Sequence, residues 1–371
     1  MFRASVAPQM RFRFSKRVAL FAALLVLGMA SLITYISHTL GAAEQATATV
    51  TTPWETNASK QGGKRAVSEL EFPATLALRV DATVTALEGG ETPREDRSRL
   101  RLNQPADTAS IGNRFYVLDS GNGRLVEFDA SGKAVRPLDA SLDEQMALHM
   151  PMAMAVHDER LYIADSGSHR VVIVRPNDGR VEKAITLSRF DGDAEAPRPI
   201  GIAVATSGDI LVSDAENQRV VRVESDGRVA SLVGTGKRDS GNFGLNTPGG
   251  LAFDRQGNLY VVDILNSRVM KYSATGEFLL QIGQRGDTAG TFSRPKGIAI
   301  DDRGNVYVSD SLQAAVQVFD ADAKYLGLIG RKEAGNKDSD SVFSAPAELE
   351  IVDGKLYVTD RLAGLFVFNL H

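Results

Sequence analysis

The chain contains no cysteine. That excludes a disulfide framework, a thiolate nucleophile and cysteine ligation of a metal. Histidine is scarce: His38, His149, His157, His169 and His371 are all there are, too dispersed for a histidine-ligated metal cluster. No Gly-x-Ser-x-Gly elbow occurs, and no glycine-rich run ends in Gly-Lys-Ser/Thr, so neither a serine-hydrolase nor a phosphate-loop signature is present. Tryptophan occurs once, at Trp54. Long apolar runs are equally rare. The one stretch that matters is Val18–Ile36, 19 residues without a charge. A cationic surface is also missing. Of 42 basic and 46 acidic side chains, residues 1–69 hold 8 and 3, so the rest carries 34 and 43, a net of −9. An acidic folded part argues against nucleic-acid binding, which rests largely on phosphate neutralisation.

What is present is a repeat. Pro105, Pro151, Pro199, Pro248, Pro295 and Pro346 recur at intervals of 46 to 51 residues. Each opens an apolar strand that turns into a second strand ending in Asp119, Asp165, Asp214, Asp263, Asp310 or Asp360. In the fifth unit Pro295–Ile300 alternates as a strand does, Asp302-Arg303-Gly304-Asn305 is a turn, and Val306–Val308 is β-branched and aromatic. Strands at Val316–Phe319 and Tyr325–Ile329 complete four per unit. A period in the forties with four short strands predicts an all-β, six-bladed β-propeller of four-stranded antiparallel blades.

The pattern Pro-x-Gly-Ile-Ala, Gly-Asn-x-Tyr-Val-x-Asp and Asn-x-Arg-Val over residues 105–371 resembles the NHL repeat family. WD40 blades would want a tryptophan near each blade end, and kelch blades paired glycines inside strands; neither recurs through the units. The resemblance implies a binding or scaffolding propeller.

The last unit has three strands before the chain stops at His371. An unpaired edge is a liability, so an N-terminal strand is expected to complete the ring. Thr75–Val80 is the first candidate and Arg99–Leu102 the second. Residues 1–17 carry five basic side chains and no acid, which predicts a cytoplasmic N-terminus. Residues 18–38 then read as a transmembrane signal anchor near the ~20 residues a bilayer requires. Residues 39–68, rich in Ala, Thr, Gly and Gln, read as a flexible linker, and 69–371 as the propeller. The expected location is single-pass in the inner membrane, propeller periplasmic or extracellular.

Candidate residues follow from the repeat and from its exceptions. Asp119/Arg124, Asp165/Arg170, Asp214/Arg219 and Asp263/Arg268 share one spacing. It lets carboxylate and guanidinium meet across a turn as structural pairs. Asn122, Asn217 and Asn266 are expected to shape the same turns. Two residues past the proline stand Gly201, Gly250 and Gly297 in three blades, but Asp107 and Glu348 in blades 1 and 6. Ring closure makes those blades neighbours, so both carboxylates are expected at the channel mouth. With His149 they form a candidate site for a divalent cation, calcium or zinc. Gluconolactonase-type propellers hold calcium on Glu, Asn and Asp in the channel; Glu348 and Asp107 are partial echoes, without a matching Asn. Long loops carry Lys237, Arg238, Arg285, Arg331 and Lys332 on one face, a candidate recognition surface for a protein or glycan. Two readings result: a membrane-tethered binding module, and a metal-dependent hydrolase or lyase, lactonase-like, working at the channel.

Overall fold

The computed structural model describes residues 74–79 and 102–370, apart from 130–133, 139–146, 191–192, 194, 225, 227 and 331–340. The chain divides into Met1–Arg65 and a compact unit, Ala66–His371. The predicted anchor at 18–38, its linker and Trp54 lie outside the described residues. Among the described residues no helix is long and apolar enough to cross a membrane.

Six four-stranded sheets form the propeller, each running from an inner to an outer strand. The inner strands are Asp107–Ile111, Pro151–His157, Pro199–Val204, Pro248–Phe253, Pro295–Ile300 and Pro346–Val352. In blades 2 to 6 the opening proline pairs with the closing aspartate, as in Pro199↔Asp214 and Pro346↔Asp360. Ring closure comes from the first candidate strand. Ala74–Arg79 pairs antiparallel with Gly364–Asn369 as the fourth strand of blade 6, from Ala74↔Phe368 to Arg79↔Gly364. Apolar clusters lie between neighbouring blades. Tyr162, Val171 and Ile185 of blade 2, for instance, pack on Ile202, Val212 and Val221 of blade 3.

All six closing aspartates are completely buried, and their partners explain why each repeat needs one. One carboxylate oxygen accepts the backbone N–H of the chain arriving at the inner strand of the same blade: Asn103, His149, Arg198, Asn246, Ser293 and Ser344 in turn. Each aspartate therefore ties the entering loop to the end of its own second strand. In blades 1, 2 and 4 the other oxygen takes Arg124, Arg170 or Arg268 at 2.7–2.8 Å. Asn122, Asn217 and Asn266 donate to Asp119, Asp214 and Asp263 at 2.7–2.8 Å. Arg219 differs. Its guanidinium grips Asp193 in the preceding loop, Nη1 at 3.0 and Nη2 at 2.6 Å, lies over the Phe190 ring, and reaches Asp214 only at 3.3 Å. Blades 5 and 6 lack the arginine. There Asp310 accepts the amides of Leu312 and Gln313, and Asp360 those of Leu362 and Ala363.

The loops before blades 4, 5 and 6 are each braced from beneath by one apolar side chain. Leu245, Phe292 and Phe343 are buried under the loops that carry them. Phe292 and Phe343 fill the space where Gly283 and Gly330 would bear a Cβ, 2.4 and 2.2 Å from the ring atoms.

Candidate active site at the channel mouth

The inner strands are short and start at the same face, so residues just past the prolines line the same end of the channel. Here the walls approach closely. A Cβ on Gly201 would stand 2.1 Å from the Gly249 carbonyl oxygen, and one on Gly297 would stand 2.4 Å from that of Ala347. Ser309 reinforces the contact by accepting the Gly297 N–H at 2.9 Å and donating to the Ala347 carbonyl. Glycine is thus a steric requirement of a narrow channel. It also leaves room for a carboxyl: Glu348 Oε2 lies 2.7 Å from the Cβ position of Gly297 and 3.3 Å from that of Gly250. Glu348, rooted in blade 6, therefore reaches across to blade 4.

Asp107 faces it from blade 1, and both border a cavity of about 120 Å³. Glu350, the next residue on the same face of its strand, borders it too, as do Met154, Ile202, Leu251, Ile298 and Leu349. One side of the cavity is thus acidic and the remainder apolar. Asp107 is buried; its Oδ1 accepts the Thr108 N–H and its Oδ2 the Met154 N–H, both at 2.7 Å. Burial and then the Glu348 charge push its carboxyl well above the usual range, against those two hydrogen bonds. Glu348 keeps a partial opening to the channel, yet enclosure pushes it up to about 8, with Lys296 pulling the other way. Glu350 is pushed up to about 7 by burial, opposed by bonds from the Ser110 N–H and Oγ at 2.9 and 3.1 Å. Its Oε2 is buried without a hydrogen bond. Lys296, lowered chiefly by burial and then by Arg294 and Arg361, supplies the nearby cation.

The sequence-predicted pair is brought together; His149 does not join it. Its ring is exposed and hydrogen-bonded to Ser168 Oγ at 3.0 Å, at the turn of blade 2. Among the described residues no three His, Asp or Glu side chains converge to hold a metal ion. The remaining inner-strand positions, Ala153, Gly201, Gly250 and Gly297, offer no side-chain donor. Both Asp107 oxygens already accept amide hydrogens. This donor set does not fit a divalent cation caged by several blades. Glu350 escaped the reading of the sequence, although the strand period that places Glu348 on the channel side also places Glu350 there. Lys237, Arg238 and Arg285 are exposed on the loop face, Arg285 donating to the Leu265 carbonyl at 2.7 Å. Arg331 and Lys332 lie outside the described residues.

A family model described as the SMP-30/gluconolactonase/LRE-like region matches residues 113–330, more than half of the chain. The chain belongs to this SMP-30/gluconolactonase-like family. Among solved structures it is similar to a gluconolactonase from Xanthomonas campestris, at 19% identity and TM-score 0.51, covering 70% of this chain and 82% of that one. It is also similar to a protein of unknown function from Bacteroides thetaiotaomicron, at 17% and 0.58, covering 72% and 70%. A third is a catalytically inactive virginiamycin B lyase from Staphylococcus aureus with quinupristin, at 11% and 0.51, covering 72% and 95%. At these identities the likeness establishes the fold alone. Among curated proteins none matches the chain.

Proposed function

We propose that the propeller is a lactonase- or lyase-like enzyme whose reacting groups are Asp107 and Glu348, rather than a scaffold. The observation that carries this reading is the pairing of two enclosed carboxyls in the channel of a chain from a gluconolactonase-like family. Two enclosed carboxyls that border one cavity do not both ionise readily, so one holds its proton after the other has lost it. One is then an acid and the other a base, a division that suits ester chemistry. Glu348, partly open to the channel and with Lys296 favouring its anion, is the base. It takes a proton from water as the water oxygen adds to a lactone carbonyl. Asp107, held protonated by burial and by the Glu348 charge, gives its proton to the ring oxygen as the carbonyl carbon–oxygen bond breaks, leaving a hydroxy acid. The metal-dependent form of this reading loses its support, because the donor set does not fit.

An extracytoplasmic location, the anchor at 18–38 and a protein or glycan partner belong to this proposal on sequence pattern alone. So does the NHL-type description of the repeat. The test is turnover of a panel of five- and six-membered lactones by the full-length protein, followed by acid release. Asp107→Asn and Glu348→Gln should each lower kcat by at least ~10²-fold, as loss of a positioned acid or base does. Turnover unchanged in both variants overturns the assignment, and failure to open any lactone overturns the substrate class.

A further inference from the structure

Large apolar side chains are exposed at one recurrent point of the repeat, but only in half of the ring. Two residues past the closing aspartate, blades 4, 5 and 6 carry Leu265, Leu312 and Leu362, exposed by 43%, 67% and 64%. Blades 1, 2 and 3 have Gly121, Gly167 and Glu216 there, equally exposed. Between the leucines the loops of the same sector present Phe243 and Val342, 57% and 45% exposed. All five lie on the face where the prolines open the inner strands, because the turns after the aspartates and the interblade loops both end there. They form an arc of protruding tips over three successive blades, not a groove.

Cations accompany the tips. Arg285 donates to the Leu265 carbonyl, the Arg294 carbonyl accepts the Ser311 N–H beside Leu312, and Arg361 directly precedes Leu362. With Lys237 and Arg238, the sector shows five cations against Asp239 and Asp287 among the described residues, on a propeller that is acidic as a whole. Protruding leucines interleaved with arginine and lysine match an anionic bilayer surface. The tips enter the acyl boundary while the cations meet lipid phosphates. A protein partner would sooner be met by a continuous packed patch. We propose that the arc from Phe243 to Leu362 docks the propeller on anionic lipid. Blades 1 to 3 carry no apolar tip at the matching turns; on their side of this face Met150, before Pro151, is the exposed apolar side chain.

The absence of cysteine makes the test direct. Full-length protein carrying Leu312→Cys or, on the opposite face, Ser207→Cys is labelled with an environment-sensitive fluorophore. It is mixed with phosphatidylcholine vesicles, with or without phosphatidylglycerol, containing a lipid-borne quencher. The expected result is a blue shift and quenching at position 312, not at 207, and only with phosphatidylglycerol. Replacing Leu265, Leu312 and Leu362 by serine should weaken quenching of a label at Val342→Cys by roughly tenfold. No quenching at 312 on either vesicle overturns the proposal and leaves the arc to a protein. Equal quenching without phosphatidylglycerol, or at 207, overturns it as well.

Discussion

At the same point of the repeat, two residues past the opening proline, blades 3 to 5 carry glycine while blades 1 and 6 carry Asp107 and Glu348. The two halves of the wall are not independent. The glycine half is stripped of side chains because the strands nearly touch. Part of the space it leaves is occupied by the Glu348 carboxyl from the acidic half, which lies over Gly250 and Gly297. Scaffold and site therefore interlock at one level of the channel. Chemistry resides where the repeat is broken, and the unbroken repeat is shaped to receive it.

The largest effect should come from undoing the juxtaposition itself. Asp107 and Glu348 are neighbours because blades 1 and 6 meet in the closed ring, and Ala74–Arg79 completes blade 6. Deleting residues 69–82 leaves Gly364–Asn369 as an open edge. Loss of the single cooperative transition in denaturant, with aggregation, is the expected outcome. A deletion variant that unfolds at the parent's midpoint would show that the contact between blades 1 and 6 closes the ring unaided.

Next in size is an attack from the glycine half. In Gly297→Ala the new methyl meets the Ala347 carbonyl oxygen and the Glu348 Cα, at 2.4 and 2.6 Å, and neither is a flexible tip. Overpacking of this kind costs about 1–3 kcal/mol, and the same methyl displaces the Glu348 carboxyl. Urea titration together with lactone turnover checks both consequences. Stability lost with turnover kept would show that the carboxyl does not need its seat over Gly297.

The acidic half can be probed by pH. Glu348 is pushed from 4.5 up to about 8, so the folded protein binds a proton that the unfolded chain releases between those values. Stability should fall as pH rises from about 4.5 and level off above about 8, because the folded state then holds an enclosed anion. Glu348→Gln removes its share of that slope, leaving the parts due to Asp107 and Glu350, and should exceed the parent by on the order of 2–4 kcal/mol at pH 9. A parallel pH dependence in parent and variant would mean that the carboxyl is solvated in the folded state.

The difference between the halves was legible in the sequence because it is written as a departure from a period, and closure by residues 75–80 followed from a missing strand. Other features were not legible, for physical reasons. The reach of each aspartate to an amide some sixteen residues earlier depends on loops with no pattern of their own. Arg219 obeys the spacing yet turns to Asp193, since a loop acid and the Phe190 ring offer a better seat. His149 looked close to the channel because it precedes Pro151 by two residues. The strand only starts at the proline, however, and the histidine remains outside on the turn. Replacement of arginine in blades 5 and 6 by backbone N–H groups also needed coordinates, because amides have no signature in sequence.

The smallest effect tests the turn shared by both halves. Four residues past the closing aspartate the chain enters the left-handed region in every blade: Gly123, His169, Gln218, Ser267, Ala314 and Gly364 all have positive φ. The asparagines assigned to shape these turns stand one residue earlier and bind the aspartate instead. Ala314 has φ +50° with neither a hydrogen-bonding side chain nor glycine's freedom, so Ala314→Gly should relieve strain and stabilise by about 0.5–1 kcal/mol. Gly123→Ala should do the reverse and more, because its methyl would also stand 2.5 Å from the Leu148 carbonyl oxygen. The two variants bracket the conformational term in one sector of each kind, since blade 1 belongs to the acidic half and blade 5 to the glycine half. Thermal unfolding of both resolves it. If Ala314→Gly lowers the midpoint, the gain in unfolded-chain entropy outweighs the relieved strain, and the left-handed turn is not a strained point of the repeat.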